Sequence, residues 1–194
     1  MPLVLQTAPT TEPVTTAEAK AHLRVTTSDD DTYIGTLIAV ARKHVETITG
    51  RALINQTWDY FLDNFPAGDK IVIPLPRLSS VTTVKYTDKD NVQTVFSSGS
   101  YIVDTNNEPG QIVLAYGESW PTFTPRPINA VEIRFVAGYG SGAANVPEGI
   151  KQAMLLLIAH WYENREPVNI GNIVTEIPET INALLWPYRI MQFA

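Results

Sequence analysis

The chain has 194 residues, 44% hydrophobic and 18% charged, with a formal net charge of -6 and no cysteine. Such a length and composition suit a folded chain that can bury a core without covalent staples. The missing cysteines exclude disulfides, cysteine-ligated zinc and thiol nucleophiles, in keeping with a reducing compartment, and the acidic balance argues against a grip on nucleic-acid phosphates, which needs clustered positive charge.

Residues 1–14 are rich in Pro and Thr, show little periodicity, and read as a flexible arm. Their apolar run, Leu3-Val4-Leu5, is too short for the core of a signal peptide. The longest apolar run, Ala153 to Ala159, falls well short of a membrane span, so the expectation is a protein made in the cytoplasm with no membrane partner.

Thr15-Thr16-Ala17-Glu18 has the form of a capping box and predicts a short helix over Thr16 to Arg24. Ser28-Asp29-Asp30-Asp31 opens a longer one, carried by Ile34, Leu37, Ile38, Ala41, Val45 and Ile48 at helical spacing and closed by Gly50. The three aspartates read as helix-capping residues; a calcium loop needs further ligands and a turn glycine at set positions, and these are absent.

From Ile54 the period changes to two. Trp58, Tyr60 and Leu62 alternate with Asp59, Phe61 and Asp63. Further strands are predicted over Lys70–Ile73, Val81–Thr87, Val92–Phe96, Tyr101–Asp104, Gln111–Ala115 and Ala130–Val136, separated by Pro-Ala-Gly, Asp-Lys-Asp-Asn and Pro-Gly turn signals. No helical pattern alternates with them, which argues against a parallel α/β sheet. Helix returns after Pro147, and a last short helix is predicted over Glu179 to Trp186, ended by Pro187.

The order helices, strands, helices predicts an α+β fold, with a helical core of about four helices and an inserted antiparallel β-sandwich or small barrel. The expected boundaries are a flexible arm over 1–14, the core over 15–53 and 147–187, the β module over 54–137, a loop over 167–178, and a C-terminal tail over 188–194.

Gly138, Gly140 and Gly142 follow a strand and precede a helix, the context of a dinucleotide fingerprint. However, the preceding strand, Val131-Glu132-Ile133-Arg134-Phe135, alternates and so exposes one face, and the helix begins only at Pro147, too late to offer amides to a phosphate held by the glycines. A sharply turned joint built from Gly138, Tyr139, Gly140 and Pro147 is the preferred reading. His160 and Glu163 lack the second histidine of a zincin, and no nucleophile elbow occurs. The residues therefore point to no catalytic group, metal or cofactor. The Pro-rich stretch Trp120 to Pro127 reads as a stiff loop between strands rather than a peptide ligand.

The helix after Pro147 carries a core stripe of Ile150, Met154, Leu157, Ile158 and Trp161, yet Leu155 and Leu156 fall off it. A helix apolar nearly all round is buried on more than one side, by its own chain or by another subunit. Trp161, Tyr162, Trp186, Tyr188 and Arg189 are residue types enriched at interface hot spots, and equally common as core residues.

Taken in order, "TTAEAKAHLRV", "ITGRALINQTWDYFLDNFP", "PLPRLSSVTTVKYTD", "SYIVD", "PGQIVLAYGESWP", "AVEIRFVAGYG" and "VPEGIKQAMLLLIAHWYENRE" resemble the head–tail connector (adaptor) proteins of tailed bacteriophages, including those of phage-derived gene transfer agents. The resemblance runs from Thr15 to Arg189. It implies a structural, non-enzymatic protein of the particle neck, made in the bacterial host. In that family copies form a ring, usually dodecameric, that bridges the portal protein to the stopper or tail-completion protein. The ring continues the DNA channel without binding DNA specifically. Carried onto this chain, Trp186–Ala194 is the portal-contacting tail, with Trp161, Tyr162, Arg165, Trp186, Tyr188, Arg189, Ile190, Met191 and Phe193 as candidate subunit or portal contacts. Physical chemistry is consistent with it: an acidic ring does not hold a sliding genome, and a head-to-tail interface closes into a ring. The alternative is a β-sandwich module that binds a carbohydrate or peptide through exposed aromatics such as Trp58 or Trp120.

Overall fold

The computed structural model describes residues 2–165 and 179–190, so the loop expected over 167–178 lies outside the described residues. The chain forms two compact units. One takes residues 10–54 and 140–194, and the other takes residues 1–9 and 55–139.

The first unit is helical. Helix α1 (Thr16–Leu23) starts at the capping box: the Thr15 hydroxyl accepts from the Glu18 amide at 3.1 Å, and the Glu18 carboxylate accepts from the Thr15 amide at 2.7 Å. These bonds to Thr15, its backbone amide first, hold the Glu18 carboxyl below the usual range. Arg24 closes the helix in the left-handed conformation, with φ 59°. Helix α2 (Asp31–Thr49) buries Ile34, Leu37, Ile38, Ala41 and Val45 along one stripe and stops at Gly50, where φ is 69° and the amide donates to the Glu46 carbonyl. Helix α3 (Glu148–Glu163) starts directly after Pro147, whose ring supplies a helix-compatible φ and whose missing N–H costs nothing there. It buries Ile150, Ala153, Met154, Leu157 and Ile158. Helix α4 (Glu179–Leu185) buries Ile181 and Leu185 and passes into a 3₁₀ turn, Trp186–Tyr188, at Pro187. α3 packs on α2 and on α4. Each fully buried Leu or Ile removed from water stabilises the unit by about 1.5–3 kcal/mol before entropy is counted.

The second unit is all β. Strands β1 (Leu3–Thr7), β2 (Gln56–Leu62), β3 (Lys70–Val72), β4 (Leu78–Thr87), β5 (Gln93–Phe96), β6 (Tyr101–Asp104), β7 (Gln111–Leu114) and β8 (Val131–Ala137) form two antiparallel sheets. Their orders are β1-β2-β8-β4-β5 and β3-β7-β6. Both sheets are open, so of the sandwich and the barrel named as expectations, the closed barrel is not formed. β8 is central and alternates strictly, burying Val131, Ile133, Phe135 and Ala137. Beside it, Asp59 on β2 lies opposite Arg134, and two bonds of 2.7 Å join the carboxylate to the guanidinium.

The arm expected over residues 1–14 is not free, because Leu3–Thr7 is the edge strand β1, paired antiparallel with β2. Val4 and Leu5 remain exposed, so the strand is held by its backbone ladder and leaves little side-chain periodicity to read.

An aromatic cluster forms within the β unit. Phe65 stacks on Trp120 at 4.9 Å and touches Tyr86, Phe96 and Phe123, while Phe96 of the larger sheet stacks on Tyr101 of the smaller at 5.7 Å. The Pro-rich loop is thereby fastened to its own sheet: the Trp120 indole N–H donates to the Gly68 carbonyl at 2.7 Å, and the Lys89 amide donates to the Thr124 carbonyl. As expected, it connects two strands, β7 and β8.

Candidate functional site

The glycine joint is a backbone device. The amide of Gly138 donates to the Arg77 carbonyl at 2.9 Å within the β unit, which ends at Tyr139. Gly140 opens the next stretch of the helical unit with φ at +158°. A Cβ there would lie 2.6 Å from Oδ1 and 2.8 Å from Cβ of Asn145. Asn145 ends a short 3₁₀ turn, Ala143–Asn145, and Pro147 precedes α3 two residues later. The absent side chain therefore makes room for a protein neighbour.

Tyr162 and Arg165, at the end of α3, converge on Asp30 at the start of α2. The Tyr162 hydroxyl donates to Asp30 Oδ2 at 2.5 Å and Arg165 Nη2 donates to the same oxygen at 3.0 Å. The guanidinium also lies 4.5 Å from the centre of the Tyr33 ring and 4.7 Å from that of Tyr162. The Tyr162 hydroxyl first, and Arg165 second, hold the Asp30 carboxyl below its usual range, and Asp30 in turn pushes the Tyr162 phenol up. Asp30 and Asp31 thus do more than the capping expected of the aspartate triplet. Asp30 occupies the N-cap position of α2 but its side chain makes no cap bond, and Asp31 pairs with Lys20 at 2.6 Å. These carboxylates tie helices to one another.

Trp161, expected on the core stripe, is half-buried. It meets His44 edge-on at 5.7 Å, and Nε2 of that imidazole is buried with no hydrogen-bond partner among the described residues. The face of α3 opposite the buried stripe carries Gln152, Leu155, Leu156 and Ala159 at helical spacing, and the two leucines are only half covered.

After α4 the segment splits by direction. Trp186 is 61% exposed, with the Arg189 guanidinium 5.5 Å above its ring. Tyr188 and Ile190 are held inward: the Tyr188 carbonyl accepts from Arg51 Nε, and the Ile190 amide donates to the Thr49 carbonyl at 3.1 Å. Met191 and Phe193 lie outside the described residues. Tyr33, Thr49 and Arg51 also take part in these arrangements and carry no local sequence signal of it. Their partners are far away in the chain (Arg51 and Tyr188 are 137 positions apart), so no local spacing announces them.

Among the described residues no group of three His, Cys, Asp or Glu side chains is placed to hold a metal ion, and no helix is long and apolar enough to cross a membrane. Of the rings offered for a ligand-binding module, Trp120 is engaged within its own unit. It is stacked on Phe65, and the Trp58 indole nitrogen is shielded from solvent.

Comparison with known proteins supplies the context for these surfaces. A family model described as "Head completion protein" matches residues 13–191. Among solved structures, a chain in the neck of an empty gene transfer agent particle, treated with C6 symmetry, superimposes with a TM-score of 0.82 at 25% identity, covering 100% of this chain and 98% of its own. A chain from the virion of the native gene transfer agent particle gives a TM-score of 0.81 at 25% identity, and one from the native neck, treated with C12 symmetry, gives 0.80 at 26%, with the same coverage. Curated proteins yielded no match.

Proposed function

Because this chain belongs to the head completion protein family, we propose that it is a structural connector in the neck of a tailed phage or gene-transfer particle. Copies form a closed ring, twelve-fold by analogy with the C12 neck, below the portal of the filled head. The ring joins that head to the stopper or tail and continues the DNA channel. The observation that carries this reading is the match of the whole chain, end to end, with a chain of a gene transfer agent neck. Its work is assembly, done through contacts.

The surfaces support the role. The half-covered leucines of α3 offer apolar area for a neighbouring copy, and Trp186 with Arg189 presents an aromatic–cation pair of the kind that anchors interfaces. We assign Trp186, Arg189 and the residues that follow to the portal. A net charge of -6 lets DNA pass without being held.

The test is complementation of particles that lack the chain. Filled heads and free tails should accumulate separately, and the full-length protein should restore joining. A truncation after Ile190 should fold, yet fail to restore it. Joined, transducing or infective particles assembled without any copy of the protein would end this reading.

A further inference from the structure

Trp186–Ile190 is held at three points, all within the helical unit. The Ile190 amide donates to the Thr49 carbonyl at 3.1 Å, and the Ile190 side chain lies beside Gly50, where an added Cβ would come 3.9 Å from it. Arg51, itself only 8% exposed, donates from Nε to the Tyr188 carbonyl at 2.5 Å. The Tyr188 ring lies across Gly149: a Cβ on that residue would come 3.0 Å from Oη, 3.3 Å from Cε2 and 3.6 Å from Cζ. The end of α2 and the first turn of α3 thus grip one short segment from two sides. Trp186 and Arg189 face solvent while Tyr188 and Ile190 face the grip.

We propose that Tyr188–Ile190 is a strap that fixes how the partner-binding end of the chain leaves the helical unit, with Gly149 and Arg51 as its positioning residues. The inference rests on the reading that Trp186, Arg189 and the residues after them meet the portal. Ordering a segment at the moment of docking costs conformational entropy. A strap closed beforehand removes that cost for its own residues and holds the Trp186–Arg189 pair in one orientation. Gly149 is needed because any side chain there contests the space of the Tyr188 ring. Arg51 is needed because a guanidinium reaching a backbone carbonyl holds the segment whatever its side chains meet.

The test is Gly149→Val in the full chain, read by amide exchange at Ile190 and by head–tail joining in complementation. The strap predicts exchange at Ile190 at least about tenfold faster, with the amides of the α2 and α3 cores unchanged. It also predicts joining reduced at least about tenfold. Gly149→Ala displaces the ring by only a few tenths of an ångström, and should give the same signs at smaller amplitude. That milder variant decides the question if the valine variant does not fold. Adding Tyr188→Phe to Gly149→Ala removes the nearest clashing atom and should restore both readouts. Unchanged exchange at Ile190 overturns the strap, and so does fast exchange with normal joining. Trp186→Ala with Arg189→Ala separates the two layers: normal joining there defeats the docking reading, whereas lost joining there with normal joining in the Gly149 variants defeats the strap alone.

Discussion

Arg165 binds Asp30 at 3.0 Å while its guanidinium lies against both Tyr33 and Tyr162, so one side chain closes the end of α3 onto the start of α2. A planar, delocalised cation meets an edge and two faces at once, which a lysine ammonium cannot do. Arg165→Lys should therefore keep the charge and still loosen the clamp. The expected result is a thermal midpoint lower by a few degrees, with exchange quickened at the last turn of α3 and the first of α2. A melting curve and exchange profile equal to wild type would show the rings to be bystanders.

The same clamp sets a pH dependence. The Asp30 carboxyl is held below its usual range, first by the Tyr162 hydroxyl. A depressed carboxyl contributes stability that is present above the unfolded-state value of about 3.8 and lost as pH falls through the folded value. The Tyr162 phenol is raised, first by its bond to Asp30, so its contribution holds below about pH 10 and is lost as pH rises through the folded value. Asp30→Asn should flatten the stability–pH curve at both ends. Glu18 and Asp104, whose carboxyls are also lowered, leave a residual acid slope. Chemical denaturation between pH 2.5 and 11, roughly the span of these groups, measures it.

Within the β unit, Asp59 is 3% exposed and relies on Arg134 across the β2–β8 ladder. Arg134→Ala strands a buried carboxylate, and should cost about 1–3 kcal/mol. The lower part of that range is expected because 37% of the arginine side chain meets solvent, where water softens the loss. Asp59→Asn, which removes the charge with its partner still present, should cost less. Urea titration of both variants gives the ordering, and the reverse order would refute this account.

Gly140 is constrained twice, by φ at +158° and by Asn145, whose Oδ1 would lie 2.6 Å from any Cβ placed there. Gly140→Ala should destabilise the helical unit by about 2–4 kcal/mol, measured by urea titration. Asn145→Ala in the same chain should recover only part of the loss, because the Cβ at 145 still lies 2.8 Å away and the backbone conformation stays unfavourable for any L side chain. Full recovery in the double variant would mean that the φ strain is negligible.

Much of the fold was legible in the residues. The capping box at Thr15, Gly50 at the end of α2, Pro147 at the start of α3 and the alternation of β8 each act through neighbours in the chain. β1 escaped notice because an edge strand is held by backbone bonds, and Val4 and Leu5 show no buried face. Trp120 reads as an open ligand platform from its neighbours alone, because Phe65, the ring stacked on it, lies 55 positions away.

By itself the sequence determined the order of helices and strands from Thr15 onward, an α+β fold, and a head–tail connector resemblance that the family match bears out. Those properties follow from local spacing, caps and turns, and from the order of motifs along the chain. Only the tertiary structure decided that Asp30 is a tether rather than a cap, and that Tyr188 and Ile190 are held by Arg51 and Thr49. The reason is physical: a side chain's partner is chosen by which distant segments the core brings within about 3 Å, and hydrogen bonds do not act beyond that reach.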